Sequence, residues 1–156
     1  MSVHTAHIAW ENPGGDFLKM QFSRAHHWTF DGGQKILASS SPHAVRVPFS
    51  DPAGVDPEEA FVAALSSCHM LTFLYYAGKG GFVVARYDDP AEGVLAKMPE
   101  GRMGITKVTL KPLVAWTGKA PSGTELAHFH HKAHEDCFIA NSVKTEIIIE
   151  PRFSAG

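Results

Sequence analysis

Hydrophobic and polar residues alternate through the first forty residues in the way that is typical of short β-strands. The extended segments that this pattern predicts are residues 3–10, 17–22, 27–30 and 34–39. Turn-forming residues with asparagine, aspartate, glycine and proline separate them. The sequence therefore predicts an antiparallel meander. A loop over residues 40–56, with three prolines and a glycine, is expected to follow it.

A long apolar stretch after this loop predicts one central helix over residues 57–79. Asp56 is a suitable N-cap and Pro57 a suitable first helical residue, while the glycine-rich run 78–81 favours the end of the helix. Few polar residues interrupt the body of the helix, so we expect it to be buried on nearly every side. One small meander cannot cover such a helix. We therefore expect it to be buried in the interface of a symmetric homodimer.

The rest of the chain predicts further strands and a second helix. The predicted strands are residues 82–87, 92–98, 103–116 and 143–150, and the second helix covers about 124–140. Strands precede and follow the long helix instead of alternating regularly with helices, so the fold class is α+β rather than Rossmann-type. We expect a single domain over residues 1–156. Its parts are the meander at about 1–55, the central helix at about 57–79, and C-terminal strands and helix at about 82–150.

Composition narrows the classes of function. The chain has 156 residues, 44% hydrophobic and 19% charged, with a formal net charge of −2. This near-neutral balance argues against a nucleic-acid partner, because a phosphate-binding surface needs clustered Lys and Arg. The longest purely apolar run, residues 60–65, is shorter than the roughly 20 residues of a membrane span. The first residues lack the basic start and apolar core of a secretory signal. We therefore expect a cytoplasmic protein with no membrane partner.

The two cysteines, Cys68 and Cys137, are the first candidates for chemistry. A C-x-x-C spacing is absent, which excludes a thioredoxin-like motif and a four-thiolate zinc site. Each cysteine alone could be a small apolar filler, because free cysteine is among the most buried residue types. A Cys–His hydrolase would need a base from elsewhere, since His69 and Cys68 are helix neighbours that point about 100° apart.

A histidine cluster in the second helix supplies an alternative. His130, His134 and Cys137 lie on one helical face, and two imidazoles with a thiolate can ligate zinc. His69 is a candidate for a fourth ligand. The other interpretation is a solvated helix face, because His128 and His131 lie in the same stretch. A zinc- or ligand-binding protein without enzymatic turnover therefore stays open as an alternative.

The stretch from Asp56 to His69, DPEEAFVAALSSCH, resembles the osmotically inducible protein C (OsmC) and organic hydroperoxide resistance family. In that family a Pro-Glu motif opens the central helix, and a reactive cysteine follows ten residues after the glutamate; Glu58 and Cys68 match this spacing. Cys137 matches the second family cysteine. Phe138 follows it, where many relatives have proline. The similarity covers roughly residues 20–150 and includes the order of elements.

This resemblance implies an OsmC-like fold, an intertwined homodimer and a thiol peroxidase activity. Cys68 would be the peroxidatic cysteine and Cys137 the resolving one. The family uses an arginine from the N-terminal meander to hold the thiolate, for which Arg24 is the best match and Arg46 the fallback, and Glu58 would orient the guanidinium. The implied partners are an organic hydroperoxide and a thiol or dithiol reductant, and no cofactor or metal is expected.

Physical chemistry adds a condition to this mechanism. Burial in an apolar helix makes a thiol inert, so a reactive Cys68 needs a cation such as an arginine. Glu58 lies ten residues earlier, about 15 Å along a straight helix, which is too far for one arginine to bridge. We therefore expect Arg24 and Glu58 to come from the partner chain. Apolar residues after the cysteine would favour organic hydroperoxides over hydrogen peroxide, namely Met70, Leu71 and Phe73.

Overall fold

The computed structural model describes residues 1–152 and forms two compact units, Met1–Ala60 and a second unit that starts at Phe61. The elements in chain order are β1 (Ala6–Ala9), a 3-10 helix (Phe17–Lys19), β2 (His26–Phe30), β3 (Lys35–Ala38), α1 (Pro57–Lys79), β4 (Val83–Asp88), β5 (Glu92–Lys97), β6 (Met103–Leu110), β7 (Leu113–Thr117), α2 (Gly123–Glu135), a second 3-10 helix (Ala140–Ser142) and β8 (Glu146–Ile149). This order of strands and helices confirms the α+β fold class.

The first unit contains the predicted meander. Strands β1, β2 and β3 form one antiparallel sheet in that order, with Trp28 of β2 opposite Ile8 on one side and Ile36 on the other. The extended segment predicted over residues 17–22 is wrong, because the chain forms a 3-10 helix at Phe17–Lys19. The Asp16 side chain accepts the backbone N–H of Lys19 at 3.1 Å, and this local cap favours a helical turn over a strand.

Helix α1 begins and ends where the sequence predicts. Asp56 and Glu59 form a capping box: Asp56 Oδ1 accepts the Glu59 backbone N–H at 2.7 Å, and Glu59 Oε2 accepts the Asp56 backbone N–H at 3.2 Å. At the other end Gly81 has a φ of +81°, which lets the Phe82 N–H turn back to the Ala77 carbonyl at 3.0 Å.

The burial of α1 differs from the expectation. One stripe at four-residue spacing is fully buried, namely Leu65, His69, Phe73 and Ala77. Leu71 and Tyr75, on another face, are each 61% exposed. A largely apolar helix face is therefore uncovered in the single chain, and its burial in a homodimer interface stays a prediction.

The second unit holds two sheets. Strands β4 and β7 pair antiparallel, while β6 pairs antiparallel with β5 and parallel with β8. The single strand predicted over 103–116 is wrong, because it is two strands that belong to different sheets. The break falls at Lys111 and Pro112. Pro112 has no N–H for a ladder, and the N–H of Lys111 goes to Asp89 Oδ1 at 2.6 Å.

Helix α2 is shorter than predicted. It starts after Ser122, which forms a capping box with Glu125, and ends at Glu135 instead of 140. The chain then turns into the second 3-10 helix. Cys137 therefore lies in the turn beyond α2, and not inside the helix as the sequence pattern suggested.

Two clusters form the core of the second unit. The first joins α1 to α2 and the β4–β7 sheet, and the second joins α1 to the β5–β6–β8 sheet. Their buried members are Phe73, Ala77, Phe82, Phe129 and Ala133 in the first cluster and Leu65, Val108 and Leu110 in the second. Cys68 thus occupies a segment of α1 that is anchored on both sides.

Helix α1 also meets a membrane criterion. Within residues 1–152 it is the one helix long and apolar enough to cross a bilayer by length and composition, with a mean hydropathy of 1.4 over 18 residues. Core helices of soluble proteins meet the same criterion, so this feature is weak evidence for a span.

A close approach at Gly93 supports a stability prediction. A Cβ at this position of β5 would lie 2.5 Å from Val62 Cγ2 on α1. We expect Gly93→Ala to lower the free energy of unfolding by about 1–3 kcal/mol, because the helix or the strand must shift. Gly78→Ala in α1 meets nothing within 4 Å and should stabilise the protein by about 0.5–1 kcal/mol. Urea unfolding of both variants checks this, and equal stability of the two would contradict it.

Candidate functional site

The structure brings the two cysteines together. Cys68 lies in the middle of α1 and is partly exposed, whereas Cys137 is 1% exposed. Both thiols are free, and the thiol of Cys68 is close enough to interact with that of Cys137 through a hydrogen bond. A partly exposed thiol near a buried one is an arrangement that can form a disulfide.

The turn after α2 fixes the position of Cys137. Its backbone N–H contacts the His134 carbonyl at 3.4 Å, and its Sγ accepts the backbone N–H of Ala140 at 3.4 Å. Burial and the hydrogen bond to Cys68 raise the pKa of the Cys137 thiol to about 11, in spite of the N–H donor from Ala140. Cys137 is therefore a protonated thiol at neutral pH and a poor nucleophile on its own.

The second unit has an open groove, and its lining residues are near the two cysteines in the sequence. Thr72, one turn after Cys68, donates its hydroxyl to the Cys68 carbonyl at 2.9 Å and also lines the groove. The groove has a volume of about 480 Å³, and its lining is Leu71, Thr72, Tyr75, Tyr76, Asp136, Phe138 and Asn141. Phe73, predicted to favour an apolar substrate, is instead fully buried and stacks on His130 with ring centroids 4.4 Å apart.

Backbone carbonyls hold Arg24 in the first unit. Its Nη1 donates to the carbonyls of Met20, at 2.8 Å, and Phe22, and its guanidinium lies 3.8 Å above the Phe22 ring. These bonds use the two Nη1 hydrogens and leave the Nε–Nη2 edge, the fork that binds a carboxylate in bidentate fashion. Within residues 1–152 Arg24 forms no ion pair with Glu58, so the pairing that the resemblance implies is not made in the single chain.

Aromatic side chains surround Arg24. Arg24 and these aromatic residues line a groove of about 350 Å³. The aromatic residues are Trp10, Phe17 and Phe22, and the groove is also lined by Ile8, His26 and Ser40. His26 fixes the backbone here: because the Trp28 indole can only donate, His26 Nε2 accepts at 2.9 Å and its Nδ1 donates to the Arg24 carbonyl at 2.7 Å. Arg46, the fallback residue, lies 5.9 Å from the Phe49 ring centroid.

A buried histidine pair was not predicted as a pair. His69 Nε2 and His130 Nδ1 are 3.0 Å apart, the ring planes lie within 4° of each other, and the residues are 1% and 4% exposed. Burial, with the nearby His130 and His134, lowers the pKa of His69 to about 3. Burial lowers the pKa of His130 to about 4. Both rings are neutral at physiological pH.

The spacing of residues along α1 could have predicted the burial of His69. His69 falls on the same four-residue spacing as the buried Leu65 and Phe73, which places it on the buried stripe of α1. In the zinc alternative, two of the predicted ligands have other partners here: His130 bonds to His69, and Cys137 Sγ accepts the backbone N–H of Ala140. In the described part of the chain no three His, Cys, Asp or Glu side chains converge in a way that could hold a metal ion.

The fold is α+β, and it places a cysteine of the long helix near a second, buried cysteine. These two features define the class of the protein. The chain belongs to the OsmC family: a family model described as OsmC-like protein matches residues 50–152. A comparison with curated proteins gives no match.

Solved structures agree with this assignment. The chain is 53% identical to an OsmC-like protein of unknown function from Vibrio cholerae, with a TM-score of 0.95 and coverage of 97% of this chain and 100% of that one. An organic hydroperoxide resistance protein from Legionella pneumophila has 18% identity and a TM-score of 0.67, covering 99% and 100%. OhrB of Bacillus subtilis has 19% identity and a TM-score of 0.62, covering 96% and 98%. The last two show the fold alone.

Proposed function

We propose that this protein is a thiol-dependent peroxidase that reduces organic hydroperoxides to alcohols. The observation that carries this proposal is the closeness of the partly exposed thiol of Cys68 to the buried thiol of Cys137, whose pKa it helps to raise. In this proposal a peroxide reaches the Cys68 sulfur from solvent, and the Cys137 sulfur then closes the disulfide. We infer from the exposure of the two thiols that Cys68 is the peroxidatic cysteine and Cys137 the resolving one.

Each step conserves atoms and electrons. The Cys68 thiolate attacks the terminal oxygen of the hydroperoxide, an S–O bond forms, the O–O bond breaks, and the alkoxide leaves as an alcohol after taking up a proton. Cys137 loses its proton as its sulfur attacks the sulfenic sulfur of Cys68; the S–S bond forms, the S–O bond breaks, and the hydroxyl leaves with that proton as water. A thiol or dithiol reductant restores both thiols, and a reducing compartment such as the cytoplasm supplies one.

Activation of Cys68 requires a positive charge. We assign it to Arg24, and we assign Glu58 to the Nε–Nη2 edge of that guanidinium, which within residues 1–152 is not used by the bonds of Nη1 to Met20 and Phe22. Helix α1 is continuous from Pro57 to Lys79, so Glu58 stays about 15 Å along the axis from Cys68. In our proposal the partner subunit's Arg24 and the partner subunit's Glu58 therefore complete the site in a homodimer. The uncovered apolar face of α1 supports this assembly.

Substitution of the arginines separates the two candidates. We expect Arg24→Met to slow the first oxidation of Cys68 by about 100-fold, because the thiolate loses its permanent cation. Arg46→Met, the matched control, should leave this rate unchanged. Stopped-flow measurement under a single turnover gives both rates. The reverse pattern, with Arg46→Met slow and Arg24→Met normal, would transfer the role to Arg46.

Substrate preference tests the proposed function. In the proposed homodimer the uncovered face of α1 would lie at the interface that completes the site, where Leu71 would form an apolar wall for the hydroperoxide. We therefore expect cumene or t-butyl hydroperoxide to oxidise Cys68 about tenfold faster than hydrogen peroxide, or more. Second-order rate constants measured on the same reduced sample give this ratio. A clear lead for hydrogen peroxide would exclude an organic hydroperoxide preference.

A further inference from the structure

His69 and His130 form a polar contact inside the core of the second unit. The Nε2–Nδ1 distance of 3.0 Å and the nearly coplanar rings are those of a direct N–H···N hydrogen bond. Both rings are neutral at physiological pH, as shown above, so one ring donates and the other accepts. The contact joins α1 directly to α2.

Within residues 1–152, the bond between His69 and His130 is the one hydrogen bond that either ring forms. Within residues 1–152 the other ring nitrogens, His69 Nδ1 and His130 Nε2, are buried without a partner. Breaking the bond would leave two more buried polar atoms unpaired, which is unfavourable for each of them. The Phe73 ring also packs flat against His130. The spacing of the two helices at this point is therefore well determined.

Each histidine of the pair is close in sequence to one of the two cysteines. His69 directly follows Cys68, and His130 precedes Cys137 by seven residues, of which those up to Glu135 belong to α2. A shift of α2 on α1 therefore moves Cys137 relative to Cys68. A disulfide needs Cα atoms within about 4.4–6.8 Å and a narrow range of torsions, so small shifts matter.

We propose that His69 and His130 are positioning residues for the disulfide-forming step: their hydrogen bond holds Cys137 where it can attack the sulfenic acid of Cys68. This inference rests on the proposed peroxidase function. In that step the S–S bond forms, the S–O bond of the sulfenic acid breaks, and the Cys137 proton leaves with the hydroxyl as water. The Cys137 sulfur is oxidised and the Cys68 sulfur is reduced.

A pair of amide substitutions tests this role. His130→Asn places an amide at the position of Nδ1 and keeps a partner for His69, whereas His130→Gln places the amide at the position of Nε2 and does not. After one equivalent of cumene hydroperoxide, we expect both variants to form sulfenic acid as fast as the parent. The Gln variant should then close the disulfide at least about tenfold more slowly, and the Asn variant should be close to the parent.

Trapping with dimedone and mass spectrometry separates the two steps, and circular dichroism establishes that each variant is folded. His130→Leu is the apolar counterpart, and His128→Leu, at an exposed position of the same helix, is its control. Disulfide closure at the parent rate in both the Gln and Leu variants would overturn the inference. If the parent itself forms no sulfenic acid, the proposed peroxidase function fails instead.

Discussion

Cys68→Ser abolishes peroxide turnover, to about a thousandth of the parent rate or less, because a serine hydroxyl cannot replace a thiolate as the nucleophile. Cys137→Ser has a different expected result. It consumes one equivalent of hydroperoxide per chain and then stops, since the sulfenic acid of Cys68 has no buried thiol to condense with. The measurement is hydroperoxide consumed per chain, with and without excess reductant.

The control for both variants is Ser67→Ala. Ser67 is exposed on α1 directly before Cys68, so its loss should leave turnover unchanged. The assigned roles would be reversed if Cys137→Ser abolished the first oxidation while Cys68→Ser kept it. Equal, full turnover of both cysteine variants would remove thiol chemistry from the function altogether.

Acid destabilises the protein through the buried histidine pair. The pKa of His69 is about 3 and that of His130 about 4 in the folded state, against about 6.5 in the unfolded chain. Above pH 6.5 neither state binds these protons, so the pair adds no pH dependence. Below it the unfolded chain takes up two protons that the folded state refuses. The free energy of unfolding then falls by up to about 1.4 kcal/mol per pH unit for each histidine, until the folded pKa values are reached.

Urea unfolding between pH 7 and pH 5 measures this effect. By pH 5 we expect a loss of about 2 kcal/mol for each histidine of the pair. His130→Leu should be less stable at neutral pH but should show about half the slope, since one proton is removed from the linkage. His128→Leu should keep the parent slope. An identical slope in parent and His130→Leu would show that the pair does not control acid stability.

The local sequence determined where helix α1 lies. Asp56 and Pro57 at the start and Gly81 at the end are signals whose hydrogen bonds form within a few residues, so the bounds 57–79 are readable from the chain alone. The two errors in strand assignment have equally local causes. The side chain of Asp16 caps a helical turn, and Pro112 breaks an otherwise continuous apolar run.

Distant contacts explain what the sequence could not provide. His69 and His130 are 61 positions apart, and their bond depends on how α1 and α2 pack. A family resemblance predicts that Cys68 and Cys137 come together. The raised pKa of the Cys137 thiol, in contrast, results mainly from its burial, which the spacing of residues in the sequence does not predict. The single-chain bonds of Arg24 to backbone carbonyls likewise depend on the αL turn at Met20.

Anaerobic thiol counting tests the central claim most directly. The fully reduced protein is counted before and after one equivalent of organic hydroperoxide, and the products are identified by mass spectrometry. The proposed mechanism predicts that both thiols disappear together and that an intramolecular Cys68–Cys137 disulfide forms. Two thiols remaining after treatment, or a disulfide only between chains, would contradict it.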